Sequence, residues 1–163
     1  METTTSTIVL RETMIKLNLP ETEMRFCKKD SGTFVFDPFR KKFVKLTPEE
    51  WVRQNFLAWL VNYLGYPKGL IAVEAPLKYN SLQKRADAVI YNKAGSPLMI
   101  VECKSAHIEI SQDTFSQAAS YNFSFRTKYL VLTNGIMHYC CKLDFDNKNY
   151  QFLKEIPRYE NLA

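Results

Sequence analysis

The chain has 163 residues, 46% hydrophobic and 24% charged, a size and balance that suit one domain with a real core. Its formal charge of +5, from 22 basic and 17 acidic residues, is compatible with nucleic acid but too mild to require it. No stretch approaches the ~18 apolar residues of a membrane-spanning helix, and Glu2, Arg11, Glu12 and Lys16 interrupt the start where a signal peptide would be apolar, so a cytoplasmic location is expected.

In chain order, residues 1–20 read as a frayed start or a short helix. Residues 24–46 read as a small antiparallel unit. Segments 24–28 and 33–36 flank the turn signal Lys29-Asp-Ser-Gly32, Asp37-Pro38 makes a second turn, and 42–46 continues extended. A helix starts at Thr47, with Thr47 as N-cap, Pro48 at the first helical position and Glu50 completing a capping box. It runs to about residue 64, where Gly65 and Pro67 stop it.

Residues 70–74 form a strand. Residues 87–91 and 98–104 form a hairpin around a turn at 92–97 made of Asn, Gly, Ser and Pro. Consecutive apolar residues at 98–101 imply burial on both faces, hence a central strand. A second helix spans 112–126. A strand at 129–132, a turn at 133–135 and a return at 136–141 follow.

The expected architecture is α/β, a central mixed sheet flanked by helices, with a small N-terminal β-hairpin extension. The extension covers 1–46, the core 47–143 and a C-terminal tail 144–163. Cys27, Cys103, Cys140 and Cys141 make no zinc spacing and are expected as reduced thiols, with adjacent Cys140 and Cys141 facing opposite ways on a strand.

The hairpin carries charges where its interior should be apolar. Side chains alternate along a strand, so Glu102 and Lys104 share a face, and folding the hairpin back brings Asp87 beside them. Two carboxylates and an ammonium there are costly unless they pair or hold a metal. A structural ion pair at a sheet edge is one reading. An oxygen-ligand site for Mg²⁺ or Mn²⁺ is the other.

Asp87 followed fifteen residues later by Glu102-Cys103-Lys104 resembles the PD-(D/E)XK nuclease signature, although Ala86 stands where the family name has proline. The wider resemblance is to the nuclease domain at the N-terminus of the restriction subunit of type I restriction enzymes. It runs through Asp37-Pro-Phe-Arg40, Thr47-Pro-Glu-Glu50, Val52-Arg-Gln54, Lys84-Arg-Ala-Asp87, Val101-Glu-Cys-Lys104, Gln117-Ala-Ala-Ser-Tyr121 and Leu132-Thr-Asn-Gly135.

The resemblance implies a restriction-endonuclease-like core and a Mg²⁺-dependent DNA endonuclease. It implies that Asp87, Glu102 and the Cys103 backbone carbonyl hold the ion. Lys104 would steady the attacking hydroxide and the charge on the phosphate. A glutamate of the early helix joins the metal site in this family. Glu50 fits that place, with Glu49 as its neighbour, although Glu50 also fits the capping role. Gln117 and Tyr121, four apart on one helix face, would border the active site.

Lys84, Arg85 and Arg126 are candidate phosphate contacts, as is Arg40 in the run 40–42, which a solvated turn explains equally well. The expected partners are DNA and either a second copy or a separately encoded motor or specificity subunit, since the chain has no P-loop. The competing function is a DNA-binding or assembly module of the same fold without turnover.

Overall fold

The computed structural model describes residues 14–162. Three short strands come first: β1 (Phe26–Lys29), β2 (Gly32–Asp37) and β3 (Lys42–Lys45). They form a three-stranded antiparallel sheet, one strand more than a hairpin. Helix α1 (Pro48–Tyr63) follows, with the Thr47 hydroxyl accepting from the Glu50 N–H at 3.0 Å. Gly65 sits at φ +72 just beyond it, a left-handed conformation that glycine adopts without strain.

Next come β4 (Ile71–Tyr79), β5 (Leu82–Tyr91), β6 (Pro97–Cys103), α2 (Gln112–Phe123), β7 (Tyr129–Thr133), β8 (His138–Asp144) and β9 (Asn149–Phe152). Strands β4 to β9 form a six-stranded sheet in chain order. Every pairing is antiparallel except β6 with β7. A parallel pair needs a crossover, and α2 supplies it.

The two helices cover opposite faces. Val52, Phe56, Leu57 and Leu60 of α1 pack on Ala88, Ile90, Met99, Val101 and Val131. Phe115 and Ala119 of α2 pack on Val89, Ile100, Leu130 and Leu132. Adjacent residues of β6 and β7 thus serve different cores, which is why their sequence is apolar without alternation. Cys140 joins one core and Cys141 the other, and all four cysteines are free and buried.

Three expectations change. Residues 14–20 lie against the core without a helix: the Trp51 indole donates to the Ile15 carbonyl at 3.0 Å, and the Asn18 N–H to the Gly135 carbonyl at 2.9 Å. The rest of that first segment lies outside the described residues. The strand expected at 70–74 extends as β4 to Tyr79 and turns into β5, so a long hairpin arm precedes Asp87.

The segment read as a C-terminal tail adds β9 to the sheet and then returns across the α1 side. Ile156 is buried there. The Tyr66 hydroxyl donates to the Pro157 carbonyl at 2.8 Å, and the Tyr159 hydroxyl to the Tyr91 carbonyl at 3.0 Å.

Candidate active site

Strand β5 pairs with β6 from Ala88 opposite Val101, so one step further sets Asp87 level with Glu102. Asp87 Oδ2 accepts from the Cys103 N–H at 2.7 Å. The strand ends there, and the Lys104 N–H donates to the Thr133 carbonyl at 2.8 Å.

On the other side of β5, Val73 pairs with Ala88 and Ala75 with Ala86, which places Glu74 opposite Asp87. Glu74 has φ +54, a strained conformation for a residue with a side chain. The kink turns the strands over. Ala86 and Ala88 are two apart, yet Ala86 packs on the α2 side and Ala88 on the α1 side. Regular alternation would have kept them on one face.

The charges around this point form two groups. In the first, Glu50 is buried on α1 and its carboxylate accepts from Arg40 at 2.7 Å and Gln54 at 2.8 Å, with Arg53 at 3.1 Å. Arg40 also binds Asp37, and Arg53 binds Glu74, which Arg85 meets at 2.8 Å. Partial burial alone would raise the Glu74 carboxyl, but the Arg53 hydrogen bond and the charges of Arg53 and Arg85 hold it below its ordinary value.

The second group centres on Glu102. The Lys84 ammonium lies against Glu102 Oε1, a buried oxygen with no well-directed hydrogen bond. Burial pushes the Glu102 carboxyl above its ordinary value, Lys84 opposes this, and Asp87 adds to the rise. Lys84 stands 4.8 Å from the Tyr121 ring centroid, and the Tyr121 hydroxyl donates to the Gln83 carbonyl at 3.3 Å.

Residues 48–157 match the family model described as Type I restriction enzyme R protein N terminus (HSDR_N). The chain belongs to this family. Of the solved structures, a fragment from Vibrio vulnificus YJ016, described as an HsdR subunit of a type I restriction enzyme, shares the fold. Its TM-score is 0.51 over 72% of this chain at 21% identity. The present chain spans 24% of that fragment. No curated protein gave a match to the chain.

Within this R-subunit N-terminal domain, the structure brings together some of the sequence candidates and separates others. Asp87, Glu102 and the Cys103 backbone meet at the end of β6. Glu50 does not close a capping box with its carboxylate; Arg40, Arg53 and Gln54 take that carboxylate instead. Its neighbour Glu49 is the helix acid nearest in effect to the site. Partial burial raises the Glu49 carboxyl, Asp87 raises it further, and Arg53 and Lys104 oppose. Arg40 is committed to Asp37 and Glu50; Arg85 and Arg126 are exposed, Arg85 while paired with Glu74. Gln117 is exposed on α2, one turn before Tyr121.

Sequence reasoning missed the partnership of Arg53 with Glu50 and Glu74. Their signal was available in part: Glu50, Arg53 and Gln54 share a face of α1 that the apolar pattern assigns to the interior. Among the described residues, no group of three or more His, Cys, Asp or Glu side chains is arranged to hold a metal, and no helix is long and apolar enough to cross a membrane.

Proposed function

We propose that this domain is a Mg²⁺- or Mn²⁺-dependent DNA endonuclease. The observation that carries the reading is the meeting of Asp87 and Glu102 at a strand end, with Glu102 Oε1 buried and poorly bonded. A carboxylate held above its ordinary value by burial and by a facing acid fits a hard cation, because the ion offsets both costs. Asp87, Glu102 and the Cys103 carbonyl would hold it, with water filling the remaining positions. Glu49 would be the helix carboxylate to join them, because Arg40, Arg53 and Gln54 already occupy that of Glu50.

When bound, the ion supplies charge neutralisation at the scissile phosphate and makes water a better nucleophile at neutral pH. Lys104 then orients the attacking water and stabilises charge as it builds on the phosphate oxygens. Tyr121 positions the β5 backbone at Gln83 and stands beside the Lys84 ammonium. Arg85 and Arg126 take phosphates of the bound strand. DNA and the other subunits of a type I restriction system are the proposed partners.

One observation favours the alternative of a silent binding or assembly module: Lys84 already neutralises Glu102. A cleavage assay separates the two. Supercoiled and single-stranded DNA should be cut with Mg²⁺ or Mn²⁺, spared in EDTA, and spared by Glu102→Ala. Cutting that persists in EDTA, or in Glu102→Ala, sinks the metal-nuclease reading; no cutting under any condition leaves the silent module.

A further inference from the structure

The hairpin arm β4–β5 overruns the end of β6. Beyond Asp87 it continues with Arg85 opposite Pro76, Lys84 opposite Leu77 and Leu82 opposite Tyr79. The tip pair is exposed, Tyr79 by 38% and Leu82 by 40%. Below the tip lies a cleft of about 310 Å³, walled by Tyr79, Phe123 and Phe145 and bordered by Asn80, Arg126 and Lys148. The Arg126 guanidinium stands 5.9 Å from the Tyr79 ring centroid and 5.9 Å from that of Phe145.

Two features mark this cleft as more than a seam between turns. Its rim holds Arg126 at φ +54 and Lys148 at φ +48, where glycine or asparagine would sit with less strain. Cations therefore occupy two turn positions that conformation alone would not give them. The acids of the last turn, Asp144 and Asp146, line the neighbouring groove and not this cleft. Aromatic walls with a cationic rim suit a flat ring that carries a phosphate.

We propose that this cleft binds one unstacked nucleotide of a single DNA strand, its base on Tyr79 and its phosphate on Arg126 and Lys148. The proposal rests on the DNA-directed reading above and names the strand form that the site prefers. Leu82 lies five residues from Asp87 along β5, about 17 Å at the rise of a strand. The held nucleotide therefore lies about 17 Å from the one at the carboxylates.

The test is fluorescence anisotropy in EDTA with labelled oligo(dT) and a blunt duplex of equal length. Tyr79→Ala, an exposed substitution, should lower affinity for oligo(dT) about tenfold and leave duplex affinity unchanged. Tyr79→Trp should retain the affinity, and its indole emission should be quenched by oligo(dT). Arg126→Gln should flatten the single-strand salt dependence by about 0.7 on a log–log plot. An equal loss on both DNA forms, or no loss with Tyr79→Ala, overturns the proposal. A protein that cuts DNA with Mg²⁺ but is indifferent to Tyr79→Ala keeps the nuclease reading and loses this one. A protein that binds neither DNA form loses both.

Discussion

Two clusters of charge lie on either side of the Glu74 kink, and they are built on different terms. On the α1 side, Asp37, Glu50 and Glu74 face Arg40, Arg53 and Arg85, three carboxylates against three guanidinium groups. Burial there is matched by planar, multiply bonded partners, as an ion network inside a protein needs. At the end of β6, Asp87 and Glu102 crowd each other with Lys84 against one oxygen, and Glu102 sits above its ordinary pKa through burial and Asp87. A network of paired charges holds a fold together, even with the buried Arg53 Nε left without a hydrogen bond. A crowded carboxylate pair stores unfavourable interaction that a cation can release. The difference indicates which acids to expect in structure and which in chemistry, although all of them are partly or fully buried.

The sharpest way to break this comparison is to remove Arg53. Arg53→Met leaves Glu50 buried with a lost partner and should destabilise the fold by about 3–5 kcal/mol, read from urea unfolding. A loss below about 1 kcal/mol would mean that the α1 network is not structural. Next is Lys104→Ala, which should reduce cleavage by about 10²–10³-fold while Mn²⁺ affinity measured by calorimetry stays within error. Wild-type cleavage by this variant removes the lysine from the chemistry.

Smaller effects sharpen the same contrast. Lys84→Met removes the ammonium that competes for Glu102, so Mn²⁺ should bind about tenfold tighter, near 1.4 kcal/mol. Weaker binding would instead make Lys84 a supporting partner of the ion. Glu74→Gln should cost stability at neutral pH and converge on wild type in acid. A carboxylate held below its ordinary value adds stability above that value and loses it as pH falls through the lowered one. Wild type should therefore lose more stability than Glu74→Gln between neutral pH and the acid range, by no more than about 1 kcal/mol for a partly exposed group.

The architecture was legible because its signals are local and repeated: Thr47 and Pro48 start a helix, Gly65 ends it, and the continuous apolar runs at 98–101 and 129–132 mark central strands. The pairing of Asp87 with Glu102 was legible from the hairpin spacing. The identity of the helix acid was not. The resemblance pointed to Glu50, with capping as its competing role, but the proposed choice of Glu49 over Glu50 turns on Arg40, which reaches Glu50 from the turn between β2 and β3, and on Arg53, one turn along the same helix. The kink at Glu74 carries no glycine, and Pro76, two residues on, is its nearest breaker signal. Strand β9 was missed because its four residues, Asn149–Phe152, are mostly exposed and carry no buried pattern.

The return of residues 153–162 over the α1 side bears on how the chain is made. The Leu64 carbonyl accepts from the Tyr159 N–H at 3.0 Å, and Ile156 enters the same core as Phe56 and Leu60. These partners are separated by most of the polypeptide, so a nascent chain on the ribosome has the helix and the sheet before it has the piece that closes them. Closure is then a late, long-range event of the kind that slows folding and leaves apolar surface open in the interval. For anyone expressing this domain, a boundary drawn at the end of the sheet would leave that surface uncovered, and one drawn past Leu162 would not.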